Sequence, residues 1–325
     1  MENKISVISQ NVMADLYTMN HIDDRYGHVK DKNLLTWDYR YPILITQIID
    51  NDIICLQEVE IKNIPTSKIL LDKLNNIKMT TYKNLSSDKQ ELIKNKINSL
   101  KDTTNTSKIF SPFFIPELEK TDSTLSIIPI KNNFVDDLLN YDYVHNMICN
   151  VKTNICDKYT NPIGNMILWK KDKFELLDFV LKSYGVFIKL RHINTKFEFL
   201  LGNIHLKAGL YSGFKERSHQ LNSCFDICKK MSEIDKKCIV GDFNDELTIS
   251  GSNTKIINDN KFIIAESYPT CDIYNHNADT HQYYTFDHVI HYNLDIKISE
   301  IPEVDTFPNK NNPSDHLPLI FDIII

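Results

Sequence analysis

Short apolar runs that stop at polar residues recur along this chain. Ile5, Val7 and Ile8 predict a first strand that closes on Gln10-Asn11. A polar stretch, residues 15–33, follows. Leu44, Ile45, Ile48 and Ile49 then recur at helical spacing, and Pro42 is expected in the first turn of that helix, where proline is tolerated. A turn at Asp50-Asn51-Asp52 leads into Ile53-Ile54-Cys55-Leu56, a buried strand that ends in Gln57-Glu58. Strand, helix and strand in this order predict a crossover unit.

The pattern changes over residues 84–140. Ser87 with Gln90 makes a capping pair, and Ile93, Ile97 and Leu100 share a face, which predicts a surface helix over 87–100 between loop-like stretches. This region is expected to be an insertion without a core of its own. The second half predicts strands over 165–169, 174–181, 186–193 and 197–205, with a hairpin at Asn194-Thr195. Leu221, Cys224, Cys228 and Met231 lie on one helical face, Cys238-Ile239-Val240 form another strand, and strands over 288–291, 294–298 and 317–325 close the chain. No repeat is visible. The pattern predicts one α/β domain of 325 residues with two packed sheets.

Composition narrows the class. With 42% hydrophobic and 25% charged residues, the chain reads as an ordinary soluble globular protein. Residues 1–15 lack the cationic start and apolar core of a secretory signal, and the longest apolar runs have strand length, so no membrane association is expected. Seven cysteines at irregular spacings, with no Cys-x-x-Cys pair, argue against a disulfide framework, a disulfide-linked partner or a zinc site. A reducing compartment, the cytoplasm, is expected. The net charge of −6 argues at first against nucleic acid. Residues 61–110, however, hold ten lysines against four acids, so the acidic excess lies elsewhere and suits a metal site. The insertion lysines are open to two readings, a grip on an RNA backbone or a solvated surface. Oligomeric state has no sequence signal.

Candidate chemistry gathers where the apolar runs end. Cys238-Ile239-Val240-Gly241-Asp242-Phe243-Asn244-Asp245 places Asp242 and Asn244 two residues apart at the end of a buried strand, on one side. Asn11, Glu58, His205 and the Asp315-His316 pair occupy the same kind of place. Ligands gathered from several strand ends are how α/β folds build sites. The set is rich in oxygen donors and suits Mg²⁺ or Mn²⁺, which would polarise a phosphoryl oxygen while a histidine near neutral pKa activates water or protonates the departing oxygen. Phosphate-ester hydrolysis is the expected reaction class. A catalytically silent module that holds RNA or another partner in the same cleft is the alternative from another class. Tyr283 and Tyr284 are read either as a base-stacking surface or as strand packing.

Several motifs quoted in order carry a family resemblance across nearly the whole chain. Asn11 on the first strand, Leu56-Gln57-Glu58-Val59, Asn203-Ile204-His205-Leu206, Gly241-Asp242-Phe243-Asn244, Phe286-Asp287-His288-Val289 and Ser314-Asp315-His316 resemble the endonuclease/exonuclease/phosphatase superfamily. Trp37-Asp38-Tyr39-Arg40 and the run from Phe307 through Leu319 are similar to its deadenylase-like branch, which includes deadenylase catalytic subunits, nocturnin, angel proteins and the 2′,5′-phosphodiesterase. His205-Leu206-Lys207-Ala208, followed by Arg217 and Gln220, resembles nocturnin and the angel proteins most.

The resemblance implies a deoxyribonuclease I-like four-layer fold, a two-sheet β-sandwich flanked by helices. It implies that Glu58 is the principal Mg²⁺ ligand, with Asn11 beside it and Asp315 at a second metal. Asp242 would orient the attacking water and Asn244 hold the phosphate. His316 would be the catalytic imidazole, oriented by Asp287, and His205 would stabilise charge on the phosphoryl oxygens. Lys207, Arg217 and Asn165 are expected near substrate. The implied activity is a 3′-5′ exoribonuclease that prefers poly(A), acting on RNA or an adenylate-containing nucleotide. A 2′,5′-oligoadenylate phosphodiesterase or nucleotide 2′-phosphatase on the same site is the alternative. The chain departs from the pattern at Gly164-Asn165-Met166, where the family usually reads Gly-Cys-Ala or Gly-Val-Ala. It also has Gly209 where nocturnin-like proteins carry arginine, which points away from a phosphorylated dinucleotide.

Overall fold

The computed structural model describes residues 4–60, 140–145, 163–209, 213–231, 233–299 and 306–325. They belong to a unit spanning Met1–Ile61, Asp136–Met147 and Ile163–Ile325. The expected insertion at 84–140, its helix over 87–100 and its lysines lie outside the described residues, Asn140 apart.

Chain order gives β1 (Lys4–Asn11), α1 (Asp15–Asn20), a 3-10 turn (Lys32–Leu35), α2 (Trp37–Ile48), β2 (Ile53–Glu60), β3 (Tyr141–His145) and β4 (Ile163–Lys170). It continues with β5 (Phe174–Lys182), β6 (Gly185–His192), β7 (Glu198–His205), α3 (Phe214–Lys230), β8 (Lys237–Asp242), α4 (Ser252–Asp259) and β9 (Ile263–Ile264). Last come β10 (Cys271–Asn275), β11 (Thr280–Tyr284), β12 (Asp287–Tyr292), β13 (Asp295–Ile298) and β14 (Leu319–Ile324). The strands form two six-stranded sheets, ordered β13-β14-β1-β2-β4-β3 and β5-β6-β7-β8-β12-β9, with β10-β11 as a separate ribbon.

Each sheet is mixed. β1 pairs parallel with β2, joined through α2 as the predicted crossover, and β7 pairs parallel with β8 through α3. β14 runs antiparallel beside β1, and β12 antiparallel beside β8. The ends of the parallel strands and the beginnings of their antiparallel neighbours therefore fall on one edge of the fold.

Period-two alternation builds the core between the sheets. Ile5 and Val7 of β1, Ile53 and Cys55 of β2, Phe199 and Leu201 of β7, Cys238 and Val240 of β8, and Leu319, Phe321 and Ile323 of β14 all lie in this buried cluster. Each such side chain contributes about 1.5–3 kcal/mol by leaving water. The alternate residues Phe187, Leu200, Ile204, Ile239 and Ile290 cover the other face of the second sheet, where they meet Leu221, Cys224, Phe225 and Cys228 of α3. α2 begins earlier than its apolar period indicated. Pro42 therefore falls in the second turn and not the first. Proline has no N–H to offer the Asp38 carbonyl one turn earlier, and Asp38 is exposed.

The five described cysteines are free and buried. Among the described residues no helix is long and apolar enough to cross a membrane.

Candidate active site

The strands that build the core become polar in step as they approach one edge. β1 reads Ile5, Val7, Ser9, Asn11 along its inward face; β7 reads Phe199, Leu201, Asn203, His205; β8 reads Cys238, Val240, Asp242. The middle tier ties the sheets together. Gln57 Nε2 donates to Ser9 Oγ at 3.0 Å and to Asn203 Oδ1 at 2.6 Å, while Asn203 Nδ2 donates to the carbonyls of Leu56 and Met166, both at 2.9 Å. Such a buried network specifies the register of one sheet against the other. The outer tier is the site.

Register sets the outer tier. His205 lies opposite Asp242 across the parallel β7-β8 pair, and Asp287 lies opposite Asp242 across the antiparallel β8-β12 pair. Gly241 makes this close pairing possible. Its φ is +135°, and a Cβ there would stand 2.0 Å from the Ile204 carbonyl oxygen.

Glu58 reaches the site by a different route. Regular alternation would put it on the outer face with Leu56, because Gln57 points between the sheets. The β2-β4 register shifts between Leu56 and Val59, and Glu58 itself adopts φ +57°. This bulge turns the carboxylate inward. Its Oε1 accepts from Asn11 Nδ2 at 3.2 Å and its Oε2 from the Ala14 backbone N–H at 2.9 Å.

Asp242 is the centre of the arrangement. Its Oδ2 accepts from Asn11 Nδ2 at 3.1 Å and lies 3.5 Å from His205 Nε2 and 3.8 Å from His316 Nε2. Its Oδ1 accepts from the Asn244 backbone N–H at 2.8 Å. His316 Nδ1 faces Asp287 Oδ2 at 2.7 Å. Burial raises the Asp242 pKa above the ordinary carboxylate value, opposed by the nearby His316 and His205. Burial alone would lower His316, but Cys271, Asp287 and Asp242 outweigh it, and the imidazole is held well above its usual pKa. One carboxylate thus faces two imidazoles, one of them backed by a second carboxylate.

No family model and no curated protein matches the chain. Solved structures do. The human nocturnin catalytic domain with bound sulfate is 15% identical, covers 98% of this chain and 93% of its own, and superposes with TM-score 0.57. ANGEL2, a 2′,3′-cyclic phosphatase bound to adenosine-2′,3′-vanadate, is 15% identical, with 99% and 96% covered and TM-score 0.58. An endonuclease/exonuclease/phosphatase protein from Bacteroides vulgatus is 14% identical, with 99% of both chains covered and TM-score 0.55. The chain has the endonuclease/exonuclease/phosphatase fold.

Within this fold Asn11, Glu58, His205, Asp242, Asp287 and His316 converge, and the remaining expected residues take other places. Asn244, at φ +50°, donates its Nδ2 to the Leu206 carbonyl at 3.0 Å, so its amide braces the strand after His205. Lys207 is exposed beside the site. Arg217, expected on substrate, is buried, and its Nη1 donates to the carbonyls of Lys207 and Gly209 at 3.0 and 2.7 Å. It positions the segment that carries His205. Asn165 is likewise buried and donates to the Tyr184 carbonyl at 2.9 Å, the same oxygen that accepts from the His205 backbone N–H. Tyr284 stacks on Phe286 with ring centroids 4.9 Å apart, whereas Tyr283 keeps an exposed face. Asp315 departs furthest from expectation: its Oδ2 accepts from Tyr26 Oη at 2.8 Å and pairs with Arg25 Nη2 at 2.8 Å.

Four residues that hold the site were not read from sequence. Ser314 Oγ donates to the Asn11 carbonyl at 2.6 Å and accepts from the His316 backbone N–H at 3.1 Å, fixing the imidazole to the end of β1. Arg40, buried in α2, donates to the carbonyls of Val12, Leu35 and Pro313 and to Asp15 Oδ1. It clamps the loop after β1 to the loop before His316. Tyr26 and Arg25 come from the aperiodic stretch 15–33. Trp37-Asp38-Tyr39-Arg40 was a visible motif, but nothing in its spacing marked Arg40 as a bridge to Pro313.

Proposed function

We propose that the chain is a metal-dependent phosphodiesterase that shortens RNA from its 3′ end, with a preference for adenylate. The observation that carries the reading is the shared Asp242 Oδ2, set against Asn11, His205 and His316 with the Glu58 carboxylate on the far side of Asn11.

The residues fit a hard divalent cation at Glu58. Its described hydrogen bonds come from two neutral N–H donors, so no described ion pair occupies the carboxylate. Asp242, Asp287 and His316 also bring ligand atoms within 4.8 Å of one another. Asp287 is already engaged by His316, however, so this trio suits proton handling better than metal binding. When bound, Mg²⁺ or Mn²⁺ would polarise the phosphoryl oxygen and offset charge that develops on it.

The chain's own groups do the rest. Asp242 accepts a hydrogen bond from the attacking water and directs its lone pair at phosphorus. Asn11 holds Asp242 and Glu58 apart at fixed distance. His316, kept in one orientation by Asp287, presents Nε2 to a phosphoryl oxygen, and His205 does so from the neighbouring strand. As the new P–O bond forms and the bond to the 3′ oxygen breaks, the proton from water passes to Asp242 and His316 gives its Nε2 proton to the departing oxygen; Asp242, 3.8 Å from that nitrogen, returns a proton to the imidazole. Tyr283, which is exposed, would stack a base.

A cyclic-phosphate terminus is the second substrate reading, favoured by the likeness to ANGEL2 bound to adenosine-2′,3′-vanadate. Matched 3′,5′-linked, 2′,5′-linked and 2′,3′-cyclic adenylates presented to the same preparation separate the readings. The 3′,5′ oligomer is expected to turn over fastest. A hundredfold preference for either other linkage would replace the first reading with the corresponding one.

A further inference from the structure

Among the described residues, Arg25 is a cation beside His316 in the fold that the roles above leave unused. Its Nη2 lies 2.8 Å from Asp315 Oδ2, yet the arginine side chain is 40% exposed while that of Asp315 is 5% exposed. Tyr26 Oη donates to the same oxygen at 2.8 Å, so the buried carboxylate is satisfied from two sides. Burial raises the Tyr26 hydroxyl well above its ordinary pKa and keeps it a donor. The guanidinium itself is far from saturated. It carries five N–H donors, and its Nε is buried without a hydrogen-bond partner. Asp315 first, and Glu58 more weakly, raise the Arg25 pKa, which places the cation within electrostatic reach of the carboxylate that would hold the metal. Asp315 is also the chain neighbour of His316. Ser314, on the other side of Asp315, bonds the Asn11 carbonyl and the His316 backbone N–H, so the Arg25–Asp315 pair sits on the segment that joins His316 to the end of β1.

We infer that Arg25 is a substrate-binding residue of this site: Asp315 holds one edge of its guanidinium, the Tyr26 ring lies 5.8 Å from its central carbon, and the exposed edge takes a non-bridging oxygen of the substrate phosphate. The inference rests on reading the cleft as a phosphate-ester site. A planar fork of N–H donors matches two phosphate oxygens better than a point charge does. The arrangement also explains why Asp315, expected near a second metal, faces a cation supplied by the chain.

A charge-conserving double substitution tests it. Arg25→Leu alone leaves Asp315 buried and unpaired and endangers folding. Arg25→Leu with Asp315→Asn removes both charges, so the net charge of the site is unchanged and a loss of anion affinity reports on the guanidinium donors. Adenosine 5′-monophosphate and adenosine are titrated into both proteins in Mg²⁺ buffer by calorimetry, with unfolding midpoints recorded. Adenosine 5′-monophosphate should bind the double variant roughly tenfold to a hundredfold more weakly, the scale of one or two charged hydrogen bonds, while adenosine binds both equally. Undiminished nucleotide affinity in a folded double variant overturns the role of Arg25 alone. A wild-type protein that binds neither adenosine 5′-monophosphate nor inorganic phosphate overturns the phosphate-site reading and this inference with it.

Discussion

Asp287 accepts the Nδ1 hydrogen of His316 at 2.7 Å, and neither side chain is more than slightly exposed. The bond fixes the tautomer and leaves Nε2 directed at Asp242. Asp287 also lies directly across the β8-β12 ladder from Asp242, so the strand pairing that builds the core also sets the imidazole between two carboxylates. Asp287→Asn keeps the volume and removes the charge that orients the ring. It should lower turnover by roughly a hundredfold or more, the contribution of a positioned acid or base, with little change in KM. Steady-state kinetics on an adenylate oligomer check this.

Glu58 reaches the site only through the bulge that follows Leu56, and the carboxylate has no cation among its described partners. Glu58→Gln preserves the fold and weakens Mn²⁺ binding by roughly tenfold or more, as loss of a charged oxygen ligand should. Calorimetric titration of Mn²⁺ measures it without reference to any substrate. Equal affinity in both proteins would move the metal elsewhere.

Arg40 joins Val12, Leu35, Asp15 and Pro313 from a fully buried position. Replacing it with leucine leaves three carbonyls and a partly buried carboxylate without their cation. The expected cost is about 3–5 kcal/mol, read as a lower urea midpoint at unchanged m-value. Activity should fall along with stability, because the same clamp holds the loop ahead of His316.

Two buried histidines should titrate in opposite directions in metal-free protein. Burial lowers the pKa of His288, whose Nε2 donates to the Asp245 carbonyl at 2.8 Å. The unfolded chain then binds the proton more readily than the folded one, so this contribution to stability is present above about pH 6.5 and is lost as pH falls below it. His316 has the opposite sign: its raised pKa contributes stability that is complete below about pH 6.5 and disappears as pH rises through the folded value. NMR titration of the imidazole Cε1 protons should show one resonance titrating below the model histidine and one above. Assignment uses His288→Gln and His316→Gln.

Much of this arrangement was legible because the alternation that buries the strands also delivers their ends. Ile5-Val7 leads to Asn11 and Cys238-Val240 leads to Asp242, so strand ends read in sequence become neighbours in space. Glu58 was read at the end of its strand, but its inward turn depends on a bulge that period-two reading does not contain. Arg217 and Asn165 are polar residues beside the site, and from sequence they resemble substrate contacts. Both donate to backbone carbonyls of neighbouring segments, and Arg217 also faces Asp245; burial of a polar side chain is decided by such partners and not by spacing. Arg25, Tyr26 and Ser314 were missed for the same reason. Tyr26 and Asp315 are 289 residues apart, and the loop that carries Tyr26 has no period to mark it.

The cleft of Glu58 and Asp242 is proposed to hydrolyse a phosphate ester. The direct measurement is the shortening of a 5′-labelled adenylate oligomer by purified protein, with Mg²⁺, with EDTA, and with Glu58→Ala. Stepwise loss from the 3′ end that requires Mg²⁺ and disappears in the variant is the predicted result. Shortening that persists in EDTA, or in Glu58→Ala at the wild-type rate, would contradict it.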